Sequence, residues 1–218
     1  MKLKTVIFDL DGTLLDSLEG LWHSTNAALR ALGYPERTLD EVRDFVGNGV
    51  GKLIERALPG GTENPEFERC VAEFLKDYQN TMLTCSRPYP GIVPLLEGLR
   101  ADGYATAVVS NKVDGAVKEL SRKFFGELIR VSIGERSGVA RKPAPDSVFA
   151  ALEELGMPRE SAAYVGDSEV DIATARNAGL PCFSVDWGNR TRQLLLSSGA
   201  TSISHTAEEL AEKIRAYV

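Results

Sequence analysis

Val6-Ile7-Phe8-Asp9-Leu10-Asp11-Gly12-Thr13-Leu14-Leu15-Asp16 begins as an unbroken apolar run and turns abruptly acidic. A short continuous apolar run reads as a strand covered on both faces, as in the middle of a parallel sheet. Residues two apart on a strand share a face, so Asp9 and Asp11 converge at its carboxyl end. Gly12 then lets the chain leave sharply. From composition alone, Asp-x-Asp-Gly-Thr arises in about three chains per thousand of this length, which argues against ordinary turn chemistry.

The pattern repeats outward along the chain. Runs at 107–109, 129–133, 163–165 and 182–185 are short and β-rich, and segments near 91–103, 113–125, 145–155 and 169–178 are long enough for crossover helices. Strands alternating with helices predict an α/β fold, a Rossmann-like, doubly wound parallel sheet with functional loops at the strands' carboxyl ends. One interval departs from this rhythm. Between residues 16 and 85 the signals are helical only: Ser17 before Leu18, Leu21, Trp22, Ala28, Leu29 and Leu32; a Thr38-Leu39-Asp40-Glu41 capping box; and Asn64-Pro65 opening a run through Phe67, Val71, Phe74, Leu75 and Tyr78. A stretch of that length cannot be a loop. The expected organisation is therefore a core of residues 1–15 and 86–218 with an inserted all-helical domain at 16–85, joined through Leu15-Asp16 and Ser86-Arg87-Pro88-Tyr89-Pro90-Gly91.

Composition narrows the function classes. With 218 residues, folding buries about 70% of the chain's surface, so no disulfide or metal staple is needed. Hydrophobic residues are 43% and charged residues 26%, which excludes a disordered or fibrous chain. A net charge of −6 without a basic cluster disfavours nucleic acid as a partner. Cys70, Cys85 and Cys182 are scattered and odd in number, as expected of small buried hydrophobes in a reducing compartment. Asp9 and Asp11 interrupt the apolar start too early for a signal peptide, and no run approaches a membrane span, so the expectation is a cytoplasmic monomer or weak homodimer with no membrane partner.

Three further motifs stand beyond expected strands: Ser110-Asn111, Lys142-Pro143 and Gly166-Asp167-Ser168-Glu169-Val170-Asp171. Together with Asp9-Leu10-Asp11-Gly12-Thr13, in this order, they resemble the haloacid dehalogenase-like superfamily of aspartyl phosphotransferases, whose α-helical cap the insertion also resembles. The resemblance implies Asp9 as nucleophile, Asp11 as general acid and base, and Lys142 as the balancing cation. It implies Mg²⁺ held by Asp9, Asp167 and the backbone carbonyl of Asp11. Phosphate would be held by Ser110, Asn111 and the backbone around Gly12 and Thr13. Elementary electrostatics agrees, because each pair of like charges about 4 Å apart costs about 4 kcal/mol at an effective dielectric near 20. Clustered carboxylates facing a phosphate therefore need cations, and an oxygen-only ligand set favours Mg²⁺ over zinc. Asp171, four residues after Asp167 at a helix start, is expected to orient Lys142 or a metal-bound water. Dehalogenating branches lack an aspartate at the second position, so Asp11 favours phosphoryl transfer.

Gly47-Asn48-Gly49 followed by Leu53-Ile54-Glu55-Arg56-Ala57-Leu58 looks like the cap signature of the phosphoglycolate phosphatases. The stretch from Val46 to Leu53 fits neither a P-loop nor a dinucleotide loop. The mutase branch carries a His and an Arg where Leu21 and Val50 stand, and the phosphonate-cleaving branch needs a buried cap lysine, for which Lys52 is the nearby candidate. The expected function is an Mg²⁺-dependent phosphatase acting on a small phosphorylated metabolite, with 2-phosphoglycolate the leading substrate. Gly49 and Lys52 or Arg56 would then meet the leaving group. The rivals are a phosphatase or pyrophosphatase for another small phosphate, a β-phosphoglucomutase-type transferase, and a non-catalytic phosphate-binding module. His23 and His205 are read as structural or surface residues, and Trp22 and Trp187 as packing anchors.

Overall fold

The computed structural model describes residues 3–217, and the chain divides into two units, Met1–Leu15 with Pro88–Val218 and Asp16–Arg87. The strands, in chain order, are β1 (Thr5–Phe8), β2 (Leu15–Asp16), β3 (Arg87–Pro88), β4 (Ala105–Val113), β5 (Val131–Glu135), β6 (Ala162–Gly166), β7 (Cys182–Val185) and β8 (Ile203–Ser204). Six of them form one sheet in the order β5-β4-β1-β6-β7-β8, and its pairings are parallel. The chain steps outward from β1 to β4 and β5, then crosses back to β6 on the other side of β1. That reversal makes the carboxyl end of β1 the switch point, where open α/β sheets bind their ligands. All residues of β1 and β6 are buried, so the middle of the sheet is covered on both faces.

The helices are α1 (Leu18–Ala31), α2 (Leu39–Phe45), α3 (Gly49–Ala57), α4 (Phe67–Thr81), α5 (Ile92–Ala101), α6 (Asp114–Phe124), α7 (Asp146–Leu155), α8 (Glu169–Ala178), α9 (Arg192–Ser197) and α10 (Ala207–Ala216). Ile7, Ala107, Val109, Ile133 and Tyr164 of the sheet pack against Val148, Ala151, Leu152 and Leu155 of α7. β4 runs further than the apolar signal at 107–109, with a register shift between Val109 and Val113, and β5 starts at Val131 rather than Ile129. β8 spans two residues, too few to carry a periodic signal.

The second unit packs α1 on α4, with α2 and α3 completing it. Leu21, Ala28, Leu29, Leu53, Ile54, Cys70, Phe74 and Tyr78 are buried there, and the Phe74 and Tyr78 rings stack at 5.4 Å. Trp22 Nε1 and Asn26 Nδ2 both donate to the carbonyl of Arg37, at 2.7 and 2.9 Å, while Arg37 Nε donates to the carbonyl of Ala57 at 2.7 Å. Trp22 thus anchors through its N–H as well as its rings. The capping box forms, with Thr38 N–H donating to Glu41 and Glu41 N–H to Thr38. Two local expectations differ. Ser17 stands at the N-cap of α1 without a side-chain cap bond, and α4 begins at Phe67, because Asn64 and Pro65 form the preceding turn. The second boundary falls between Arg87 and Pro88, inside the proline-rich connector rather than after Cys85. Cys70 is buried as expected, whereas Cys85 and Cys182 are half-buried. Among the described residues no helix is long and apolar enough to cross a membrane.

Leu96 on α5 is fully buried. Leu96→Ala is expected to cost about 2–5 kcal/mol of stability. An unfolding free energy from urea titration that falls by less than about 1 kcal/mol would show that α5 does not seal this part of the sheet.

Candidate active site

Asp9 directly follows β1, and its N–H donates to the carbonyl of Val165 at 2.9 Å, so its backbone is fixed by the neighbouring strand. Lys142 enters from the loop after β5. Its Nζ donates to Asp9 Oδ1 at 2.7 Å, to Asp171 Oδ1 at 2.8 Å and to Tyr164 Oη at 3.0 Å, with only 3% of the side chain exposed. Tyr164 Oη in turn donates to Asp171 Oδ1 at 3.1 Å. The main chain of Lys142 is clasped by Asn111, whose Oδ1 accepts from Lys142 N at 2.9 Å and whose Nδ2 donates to Lys142 O at 3.1 Å.

The capping of α8 aims Asp171. Ser168 is the N-cap, and its N–H and Oγ both donate to Asp171 Oδ2, at 3.1 and 2.6 Å. One carboxylate oxygen is thereby committed to the helix start and the other to Lys142. Asp171 therefore acts as the acid of a first helical turn and, as one of its two expected tasks, as the partner of Lys142.

Asp167 follows β6 and has a donor on each oxygen: Thr13 Oγ1 to Oδ1 at 3.2 Å and Asn189 N–H to Oδ2 at 2.7 Å. Two glycines permit this approach. A Cβ on Gly12, which has φ +89°, would lie 2.3 Å from Asp167 Oδ2, and one on Gly188 would lie 2.2 Å from the Gly12 carbonyl oxygen. Asn189 Nδ2 also reaches the carbonyl of Asp11 at 3.4 Å, and Trp187 Nε1 donates to that of Thr13 at 3.1 Å.

Asp9, Asp167 and Asp171 are buried and bring carboxylate oxygens within 4.8 Å of one another. Burial pushes Asp9 up to about 7; Lys142 opposes that rise, while Asp171 and Asp11 add to it. Burial, reinforced by Asp171 and Asp9, also holds Asp167 well above the usual carboxylate range. For Lys142, burial works to lower the affinity for its proton, but Asp171 and Asp9 outweigh it and the ammonium persists. Three carboxylates thus face one ammonium, an imbalance that a divalent cation would correct. The donors fit a hard cation: all are oxygens, and Asp9 Oδ2 receives no hydrogen bond among the described residues. Asp171, whose oxygens accept four hydrogen bonds against two for Asp167, fits such an ion least.

Other expected residues are placed as follows. Ser110 and Asn111 lie within β4 and are buried, Ser110 Oγ accepting from Lys112 N–H at 3.2 Å. The N–H of Gly12 goes to the carbonyl of Leu15 at 2.9 Å and that of Thr13 to Leu10 at 3.4 Å, so the turn itself takes the donors expected to face phosphate. In the helical unit, Gly49 is the first residue of α3, Lys52 is exposed and pairs with Glu55 at 2.7 Å, and Arg56 Nη1 donates to the carbonyl of Phe45 at 2.7 Å. His23 and His205 are exposed, facing Glu19 at 3.8 Å and Asp186 at 2.8 Å. Sequence reasoning missed Tyr164, Lys112 and Asn189. Tyr164 reads as one more apolar strand residue, and Asn189 lies just beyond Trp187, which the sequence reads as a packing anchor. Lys112 pairs with Asp11 at 2.9 Å, and its position two residues after Ser110 was the available signal.

Residues 6–185 match the family model described as "Haloacid dehalogenase-like hydrolase". The chain is 38% identical to the phosphoglycolate phosphatase of Rhodobacter capsulatus over 81% of each chain. It is 34% identical to that of Aquifex aeolicus, over 85% of this chain and 86% of the relative. Among solved structures, CbbY from Rhodobacter sphaeroides in complex with phosphate superposes with a TM-score of 0.78 at 26% identity, covering 95% of this chain and 96% of the other. The order of strands, the acids at their ends and these likenesses agree: the chain belongs to the haloacid dehalogenase-like hydrolases.

Proposed function

We propose that the protein is an Mg²⁺-dependent phosphatase that hydrolyses a small phosphomonoester through an aspartyl phosphate on Asp9, with 2-phosphoglycolate as the substrate. The observation that carries this reading is the junction of Lys142 with Asp9 and Asp171 beside Asp167, in a chain whose relatives at 34–38% identity are phosphoglycolate phosphatases. A carboxylate oxygen of Asp9 attacks phosphorus in line; the phosphorus–ester oxygen bond breaks as the aspartyl phosphate forms. Asp11 gives its proton to the departing oxygen. It then takes one from a water that attacks the same phosphorus, which releases inorganic phosphate and restores Asp9. Lys142 balances charge on Asp9 and on a phosphate oxygen, and Asp171 and Tyr164 hold it in place. Ser110 donates to the phosphate, while Asn111 acts as a positioning residue by clasping the Lys142 main chain. A bound Mg²⁺, held by Asp9, Asp167 and the Asp11 carbonyl, supplies the remaining charge neutralisation.

Asp9→Asn is expected to lower turnover by at least about 1,000-fold with an unchanged circular dichroism spectrum, since the nucleophile is lost while an amide still fills the site. Retained activity would remove Asp9 as the nucleophile, whereas a wild-type protein that binds phosphate without hydrolysing any ester would leave the phosphate-binding module as the better description. Across a panel of phosphate esters, phosphoglycolate is expected to give the highest kcat/KM. A clear preference for nucleotides, sugar phosphates or pyrophosphate would replace the substrate and leave the mechanism standing.

Metal binding is expected to depend on pH. Without metal, Asp9 is pushed up to about 7 in the folded protein, so the folded state binds more protons than the unfolded one. Its contribution to stability therefore falls as pH rises from about 4 through about 7. A cation replaces that proton, so Mg²⁺ should raise the Tm more at pH 8 than at pH 5. EDTA should abolish activity, and added Mg²⁺ should restore it. An equal Tm gain at both pH values would count against Asp9 as a ligand.

A further inference from the structure

We infer that Lys112 is the specificity-determining residue for the leaving group, its ammonium binding the carboxylate of a phosphorylated 2-hydroxy acid while it rests against Asp11. This inference deepens the proposed function and depends on it. Lys112 Nζ lies 2.9 Å from Asp11 Oδ2, with 8% of the lysine side chain and 13% of the aspartate side chain exposed. Its backbone is held on both sides. Its N–H donates to Ser110 Oγ at 3.2 Å, and a Cβ on Gly134 of β5 would lie 2.6 Å from its carbonyl oxygen. The register shift in β4 between Val109 and Val113 lets this segment turn toward the acids, as strand irregularities do beside functional sites.

Bond lengths set the rest. As the general acid, Asp11 must come within about 3 Å of the ester oxygen. In a phosphorylated 2-hydroxy acid the carboxyl carbon is two bonds from that oxygen, which puts the carboxylate oxygens about 3–4 Å away from it. A cation 2.9 Å from the acid is therefore close enough for that carboxylate to reach when it turns to the Lys112 side of Asp11. An ammonium has three donors and can hold Asp11 and a substrate carboxylate together.

Among the described residues, the buried cations Lys142 and Arg190 hold carboxylates away from Asp11: Lys142 bonds Asp9 and Asp171, and Arg190 pairs with Glu169 at 3.0 Å. Lys52 and Arg56, the cations the sequence suggested for this task, have partners in their own unit in Glu55 and the Phe45 carbonyl.

The test compares phosphoglycolate with 2-hydroxyethyl phosphate, which replaces the carboxylate with a neutral hydroxymethyl group, at saturating Mg²⁺. Lys112→Met is expected to lower kcat/KM for phosphoglycolate about 100-fold, the loss falling mainly on KM, and to affect the neutral ester far less. Lys112→Arg is expected to keep part of the preference, and glycolate to inhibit the Met variant more weakly than the wild type. The Tm of each variant confirms that it is folded. Equal losses on both esters would mean that Lys112 acts only by placing Asp11, which overturns the inference and leaves the phosphatase reading intact. A wild-type enzyme without preference for the carboxylated ester would instead remove the substrate reading, and this inference with it.

Discussion

One ammonium group, that of Lys142, makes the acidic cluster compatible with a folded core. Asp9, Asp167 and Asp171 come from the ends of β1 and β6 and the first turn of α8, and each would repel the others in a buried setting. The lysine offsets this by bonding two of them at 2.7 and 2.8 Å. The structure holds that lysine by several routes at once: Asn111 grips its main chain, Tyr164 accepts from its Nζ, and the Ser168 cap turns Asp171 toward it. Removing one partner from such a network leaves a buried charge unpaired, which is why these contacts position and stabilise together.

The helix cap shows how local chemistry and site chemistry share residues. Ser168 and Asp171 would form a capping box in any helix, yet here the same carboxylate also reaches the lysine. Gly12 and Gly188 make a similar point for the backbone. Their bare Cα atoms let the loops after β1 and β7 close on Asp167, so the loop after β7, which carries no obvious chemistry of its own, sets the orientation of the acid at the end of the preceding strand, β6.

Much of this was legible in the residues. The apolar run before Asp9 gave β1, and the 169–178 segment matched α8 at both ends, because burial and capping acted in the same direction there. Ser110, Lys142 and Asp167 could be found because each follows a strand signal. The remainder depended on geometry that the chain order does not encode. The turn after Asp11 satisfies its own N–H groups, so donors that looked open to a phosphate are engaged. Asn111 sits beside a motif serine, but its amide faces a main chain 31 residues away. Lys112 belongs to no motif that the sequence singled out, and only the place of its Nζ 2.9 Å from Asp11 marks it. β8 is stabilised by pairing with β7 rather than by any local pattern.

The connector pair has a consequence for how such a protein could be rebuilt. β2 and β3 lie side by side, and the N–H of Tyr89 bonds the carbonyl of Leu14 at 3.1 Å, so the chain departs from the sheet unit and rejoins it at adjacent points. Everything from Asp16 to Arg87 hangs from that one doorway. A helical module of different length or sequence could be spliced in there without moving any of the six parallel strands from its register. The fold thereby separates the parallel sheet, with the acids at its strand ends, from a part that can be exchanged as a cassette.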